Sequence, residues 1–404
     1  MTRIRELLFV STCAAALTLT GCGGDDGSGQ TSGDGDGDGD PTGDGDGDGD
    51  FTPPSFGEPI QVSQVPEGHD ATYVELEPIT GGYLLLWSRG GDDLPDYQTE
   101  LHVSRLAHDG SLVWDQALVG TNAGVLPKAL AVAGSTVGVA YSADSALWLA
   151  RLDLDGNEQG SRISLSDLTG LGGANYLDMV SDGQGFAVVQ AEDSPTFYTL
   201  AADGTLDVAP WAVAAPIEAT GEVSLAWNGG EYGLAWTDAN AGQRIRFARI
   251  AASGDAVTGS VVEVTDQGAI PSLAAADDGW GIAWVDYRDH GITNTEVYFG
   301  RLAADGTRLG TDQRASTSGY AFGPRLAWDG SSFALVWYVA DPSAALPHVD
   351  YAEIDEAGQL LGRVALFDTF MAYPYPVIRA GHQGWAMAWA DAVDGRNQVH
   401  FATE

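Results

Sequence analysis

The stretch Leu225-Ala-Trp-Asn-Gly-Gly-Glu-Tyr-Gly-Leu-Ala-Trp-Thr-Asp238 returns further along the chain as Leu326-Ala-Trp-Asp-Gly-Ser-Ser-Phe-Ala-Leu-Val-Trp337. Each copy is an apolar run, a Gly-bearing turn and a second apolar run that closes on Trp. Leu273–Asp286 and Ile378–Asp391 follow the same pattern, and Tyr83–Trp87, Val137–Tyr141 and Phe186–Gln190 are weaker copies of its second half. The closing position runs Trp87, Tyr141, Gln190, Trp236, Trp284, Trp337 and Trp389, at spacings of 46 to 54 residues. A period of that length is the mark of a repeat architecture. Asn-Gly and Asp-Gly tolerate positive φ and so favour tight hairpin turns. The second run, Phe333–Trp337 for instance, is apolar at successive positions, as a strand covered on both faces must be.

Each unit continues into a third strand and another turn. Examples are Leu101–Leu106 with Asp109-Gly110, Trp148–Leu152 with Asp155-Gly156, Phe197–Leu200 with Asp203-Gly204, and Val297–Leu302 with Asp305-Gly306. A short fourth strand follows, such as Arg162–Ser166 or Ser260–Thr265, and no helical period is visible after residue 57. Four-stranded units of about 50 residues resemble the blades of a β-propeller. The expected fold is therefore all-β: a seven-bladed β-propeller of four-stranded antiparallel blades over residues 57–404. The seventh unit, Val377–Glu404, stops after its third strand, and Glu58-Pro-Ile-Gln-Val-Ser63 resembles the outer strands of the other units. The N-terminal strand is thus expected to close the ring. The resemblance implies a fold and no particular chemistry. The Gly-His…Trp-Asp pattern of WD40 repeats and the Ser-x-Asp-x-Gly-x-Thr-Trp box of sialidases are both missing.

Ahead of the repeats, Arg3 and Arg5 precede an apolar run from Leu7 to Leu19 that is too short to span a bilayer. The run ends in Leu19-Thr20-Gly21-Cys22, which resembles the lipobox of bacterial lipoprotein signal peptides. The resemblance implies removal of residues 1–21, a diacylglycerol on the Cys22 sulfur and an acylated new N-terminus. Several acyl chains together anchor a protein stably where one is marginal. No aspartate follows Cys22 directly; in enterobacterial lipoproteins that pattern implies the outer membrane rather than the inner. Residues 22–56 are low complexity, with Gly and Asp alternating from Gly33 to Asp50. Glycine is entropically costly to order and the aspartates repel, so a disordered linker of about 30 Å is expected. Asp-Gly alternation also resembles the first half of a calcium loop, but the closing Glu is missing.

The chain holds 57 acidic and 18 basic residues, a net charge of −39, and Lys128 is its only lysine. With no basic patch to neutralise phosphates, nucleic acid is not an expected partner. Of Cys13 and Cys22 only the second survives processing, which excludes an intrachain disulfide and a zinc site built on several cysteines.

In a propeller the loops before strands A and C share one rim, and the short turns share the other. Acids recur after the second strand: Asp92, Asp144, Asp193, Asp238, Asp286, Asp341 and Asp391. Two readings stand for them: repeated turn chemistry, or a ring that attracts cations or a basic partner, with calcium as the candidate cofactor on Asp238, Asp286, Asp341 and Asp391. Tyr287-Arg288-Asp289-His290, together with Asp286, makes the densest polar group. Tyr320 with Phe322, and Phe370 with Tyr373 and Tyr375, lie in loops of the same rim and serve either packing or ligand contact.

The leading functional expectation is a non-catalytic binding module at the bacterial cell envelope, presenting this rim to a protein, peptide or glycan. A secreted carbohydrate-active hydrolase or lyase, and a structural envelope lipoprotein, are the alternatives. An enzyme is expected to gather acids and bases from different blades at the central channel, breaking the repeat. The anchor is testable on its own. Cys22→Ser should move the protein from the detergent-extracted membrane fraction to the soluble fraction without blocking export, whereas continued membrane retention would exclude lipidation at Cys22.

Overall fold

A computed structural model describes residues 51–404, apart from 92, 95–97, 215–219, 240–242, 290–293, 318 and 372–373. Cys22, the Gly-Asp stretch, Asp92, His290 and Tyr373 lie outside the described residues. The described residues form one compact unit. It is a seven-bladed β-propeller in which each blade is a four-stranded antiparallel sheet. The innermost strands, here A1 to A7, are His69–Ile79, the second half of Leu112–Ala133, Tyr176–Ser181, Thr220–Trp227, Gly268–Ala276, Ala321–Trp328 and Val377–Ala380. They pack against one another in succession right round the ring. Blades 1 and 2 share the single long strand Leu112–Ala133, which leaves blade 1 as its outer strand and enters blade 2 as its inner one.

The core explains why the second strands read as continuous apolar runs. Each interface between successive blades holds one cluster of buried side chains, such as Phe299, Phe333 and Trp337 between blades 5 and 6. A second strand therefore faces a neighbour on both sides: Ser332–Val339 and Gly279–Asp286 are buried at every position. Trp236, Trp284 and Trp337, the repeated closing aromatics, are fully buried. Two glycines make this close stacking feasible. A Cβ at Gly233 would meet the Trp280 ring of the next blade, and one at Gly281 would collide with Phe333.

Blade 7 is built from both ends of the chain, in the order Ile60–Gln61, Arg396–Thr403, Trp385–Val393, Val377–Ala380. Ile60 pairs with Phe401 and Gln61 with His400, and the Val62 N–H donates to the Val399 carbonyl at 2.8 Å. The seam is fastened by one buried amide. Gln398 Oε1 accepts from Ser63 Oγ at 2.8 Å and from the Val65 N–H at 3.2 Å. Its Nε2 donates to the Val65 carbonyl, and Ser63 Oγ in turn accepts the Val399 N–H. Upstream, Phe51 lies against Gly362, and the Gly57 N–H donates to the Thr403 carbonyl at 3.0 Å. The chain therefore reaches the ring on the side of the short turns.

Two local expectations need correction. The outer strand expected at Arg162–Ser166 is only Ile163–Ser164, followed by a short helix, Leu165–Thr169. Ser164 caps that helix by accepting the Asp167 N–H, and Gly170 ends it at φ 73°. The rim expected to carry long variable loops is also uneven. Asp144-Ser145 in blade 2 and Asp394-Gly395 in blade 7 are two-residue turns with both residues at positive φ. Such turns match the twist of the paired strands. The longer connections on that rim include the helix-bearing 165–175 between blades 2 and 3, 287–295 in blade 5 and 340–347 in blade 6.

Closure through Gln398 gives a stability test. Gln398→Ala leaves buried groups of Ser63 and Val65 without partners, which costs about 2–4 kcal/mol across several lost hydrogen bonds. The variant should melt several degrees lower and unfold from the seam, read as faster hydrogen exchange at residues 60–65. An unchanged Tm and exchange rate would show that the seam is held by something else.

Candidate functional site

The rim residues singled out in the sequence occupy distinct positions. Asp286 is buried, and its carboxylate accepts from Trp284 Nε1 at 2.7 Å, from the Arg288 N–H at 2.8 Å and from the Arg288 guanidinium at 2.7 and 2.9 Å. Arg288 also reaches Asp312 at 3.0 Å and lies 4.3 Å over the Tyr298 ring. Asp289 accepts the Tyr298 hydroxyl at 2.7 Å; burial, and then this bond, push that phenol up to about 12. The fold thus joins Asp286, Arg288 and Asp289 in one ion-paired cluster. The other acids stay on their own blades. Asp238 pairs with Arg246 at 2.8 Å. Asp341 accepts the Ser343 hydroxyl and N–H, both at 2.7 Å, which hold its carboxyl below the usual range. Asp391 accepts from Thr369 Oγ1, Phe370 N and Ala392 N. Among the described residues no three His, Cys, Asp or Glu side chains are arranged to hold a metal ion. Phe322 stacks on Tyr338, whereas Phe370 is 72% and Tyr375 41% exposed; Tyr320 and Tyr375 both take positive φ.

A second constellation, absent from the sequence reading, lies on the ring axis. Strands A1, A4, A5 and A6 each carry a β-bulge near their start, between Thr72 and Val74, Thr220 and Val223, Ala269 and Ser272, and Phe322 and Arg325. A bulge inserts residues on one strand only and re-aims the side chains beside it. Beyond the bulges the strands regain a common register, in which Leu76, Leu130, Met179, Leu225, Leu273, Leu326 and Ile378 hold one position. The residue before each points to the opposite face of its strand, toward the next blade, as the bonds of Asp178, Ser224 and Ser272 show. Round the ring that position reads Glu75, Ala129, Asp178, Ser224, Ser272, Arg325, Val377. Here the repeat breaks.

Three of these side chains bind the ring together. Asp178 accepts the Leu225 N–H at 2.7 Å, Ser224 accepts the Leu273 N–H at 3.0 Å, and Ser272 accepts the Leu326 N–H at 3.0 Å, each from the next blade. Glu77, two residues beyond Glu75 on the same face of A1, and Arg379 of A7 extend the charged lining; Arg379 reaches Glu75 at 3.7 Å. Glu222 joins from the A4 bulge, and Tyr73 from the A1 bulge at φ 53°. The Tyr73 hydroxyl donates to the Lys128 carbonyl and to Glu75 at 3.2 Å. Lys128 itself is buried, its Nζ donating to Ser88 Oγ at 2.9 Å and lying 4.8 Å over the Tyr73 ring.

These groups feel one another across the axis. Burial pushes the Glu77 carboxyl up to about 7; Arg379 opposes the rise, and Glu75 and Asp178 add to it. Burial takes Asp178 to about 6 despite the two backbone N–H groups that favour its charge. Burial also raises Glu222, which Thr237 and Arg325 counteract. It raises Tyr73 as well, with Glu75 adding to the rise and Arg325 opposing it, and lowers the Lys128 ammonium to about 7. Blade 1 thus interacts with blades 3 and 6, and blade 4 with blade 6, which only a shared central channel allows. Sequence reasoning missed this lining because it aligned the second strands, where the pattern is strong. The available signal was six charged residues, Glu75, Glu77, Asp178, Glu222, Arg325 and Arg379, set inside the inner strands.

No protein-family model and no curated protein matches the chain. Solved structures match in fold. Hydrazine synthase from Kuenenia stuttgartiensis aligns with a TM-score of 0.53 at 11% identity, over 75% of this chain and 92% of that one. BBS1N, solved in complex with ARL6DN, aligns at 0.50 and 11% identity over 86% and 96% of the two chains. A putative TolB from Agrobacterium tumefaciens aligns at 0.41, with 17% identity over 72% and 92%. At these identities the likeness concerns the fold alone.

The channel makes a pH prediction. Glu77 titrates near 4.5 when unfolded and near 7 when folded, so between these values the folded state holds its proton more tightly. Its contribution to stability is complete below the lower value and is lost as pH rises through the upper one. Glu77→Gln should therefore raise Tm by a few degrees at pH 8 and change it little at pH 4.5. An equal effect at both pH values would mean that the charge of Glu77 is not what burial penalises.

Proposed function

We propose that this chain is a lipid-anchored binding protein of the bacterial envelope whose propeller takes its ligand at the central channel, entering from the rim of blades 5 and 6. The carrying observation is the break in the repeat on the inner strands. Scaffold positions recur from blade to blade, whereas the axial position changes from Glu to Asp to Ser to Arg. Asp178, Ser224 and Ser272 share one blade-binding role at this position, whereas Glu75 and Arg325 make no such bond among the described residues, so ring assembly alone does not account for their charges.

Phe51 and Gly57 meet the ring on the side of the short turns, away from the rim that carries Phe370 and Tyr375. Loops on a rigid scaffold are where binding specificity commonly resides. Phe370 and Tyr375, exposed on that rim, supply apolar contact beside the charged lining.

One observation favours a second reading, a carbohydrate-active hydrolase or lyase. A carboxyl that titrates near 7, as Glu77 does, can donate a proton at neutral pH, which is what a general acid requires.

Both readings are tested by probing glycan and peptide arrays with the full chain. Asp178→Asn together with Arg325→Gln should weaken any captured ligand at least tenfold, while Asp286→Asn on the rim should not. Full retention by the channel variant would move the site off the axis. Cleavage of a captured glycan that stops with Glu77→Gln would select the enzyme.

A further inference from the structure

The charged lining is divided by blade. Carboxylates come from blades 1, 3 and 4 as Glu75, Glu77, Asp178 and Glu222. The guanidiniums come from blades 6 and 7 as Arg325 and Arg379. In a seven-membered ring, blades 3 and 6 stand across the axis from each other, so Asp178 and Arg325 hold the same level on opposite sides of the ring.

The two guanidiniums are not equivalent. Arg379 is engaged by Glu75 at 3.7 Å and donates to the Ile378 carbonyl. Arg325 donates to the carbonyl of its own neighbour, Pro324, at 3.3 Å and forms no ion pair among the described residues. Its planar fork is suited to a carboxylate or phosphate. Two blades round from Arg325, Glu77 makes no hydrogen bond among the described residues, and on the far side Asp178 spends its oxygens on two backbone N–H groups. The Lys128 ammonium, which would have balanced these acids, is turned away to Ser88 and the face of Tyr73. The lining thus holds a guanidinium without an ion pair in blade 6 and, in blades 1 and 3, three carboxyl groups that share the single guanidinium of Arg379.

Resting on the channel reading above, we propose that the ligand is amphoteric: a small molecule or peptide terminus whose anionic group pairs with Arg325 and whose cationic group lies against Asp178 and Glu77. A purely anionic ligand would face four carboxylates, and a purely cationic one would leave the Arg325 guanidinium without an ion-pairing partner. A molecule carrying both charges satisfies both walls at once.

Three probes of similar size separate these cases by calorimetric titration of the full chain: L-arginine, agmatine, which lacks the carboxylate, and succinate, which lacks the cation. L-Arginine should bind at least tenfold more tightly than agmatine, and succinate should not bind. Arg325→Gln should remove the preference for L-arginine while leaving the agmatine affinity within about twofold, which also shows that the variant is folded. Asp178→Asn with Glu77→Gln should weaken both cationic probes at least tenfold. Equal affinity of wild-type protein for L-arginine and agmatine, or silence toward all three probes, would overturn the proposal. A neutral array ligand lost with Arg325→Gln would overturn it too, yet leave the channel as the binding site.

Discussion

A ring of wedge-shaped sheets is stable only if its last wedge meets its first, and in this protein that junction is a shared blade. Three strands from the C-terminus and one from the N-terminus make blade 7, and the buried amide of Gln398 is hydrogen-bonded to Ser63 and Val65 across it. Nearly the whole domain lies between the two strands so joined. The entropic cost of closing such a loop grows only with the logarithm of its length, so a few buried hydrogen bonds and the apolar cluster around Tyr83, Val399 and Phe401 offset it. Once closed, every second strand has a neighbour on both faces, and the apolar runs of the sequence become one continuous annular core.

Closure has a second consequence at the axis. Seven inner strands converge there, and the face that each turns to the next blade carries packed side chains, Ala129 and Val377, as well as polar and charged ones. Ser272 and Ser224 use that face to bind the next blade, and Asp178 does so with a carboxylate. Charges set on this face are enclosed by protein and yet keep company with water, the setting in which burial raises carboxyl pKa values and neighbours tune them. Displaced titration at several groups in a cleft is a recognised companion of function. Here it coincides with an independent sign, the loss of repetition at the same positions.

Much of this was legible in the sequence because repetition makes a weak signal strong. The closing aromatics, the Asp-Gly turns and the truncated last unit were enough to give the blade number and the closing strand. The channel was not legible, because the bulges at Thr72, Thr220, Ala269 and Phe322 shift the register before the axial residues, hiding their equivalence. Tyr287-Arg288-Asp289 shows the opposite limit. Its density of charge is plain in the sequence, but only the fold reveals that Trp284 and Arg288 already satisfy Asp286. The long strand Leu112–Ala133 was likewise hidden, since a strand that changes blades carries no turn to mark the passage.

The account rests on carboxyl groups confined together on the ring axis, and their titration is its most direct test. Carbon-detected NMR of the Asp and Glu side chains, with Glu77→Gln and Asp178→Asn used to assign two of the signals, reads each midpoint in the folded protein. Enclosure in a shared channel requires midpoints displaced to about 7 for Glu77 and about 6 for Asp178. If both instead titrate below about 5, as solvated carboxyls do, the axial side chains do not share an enclosed channel, and the binding site lies elsewhere on the propeller.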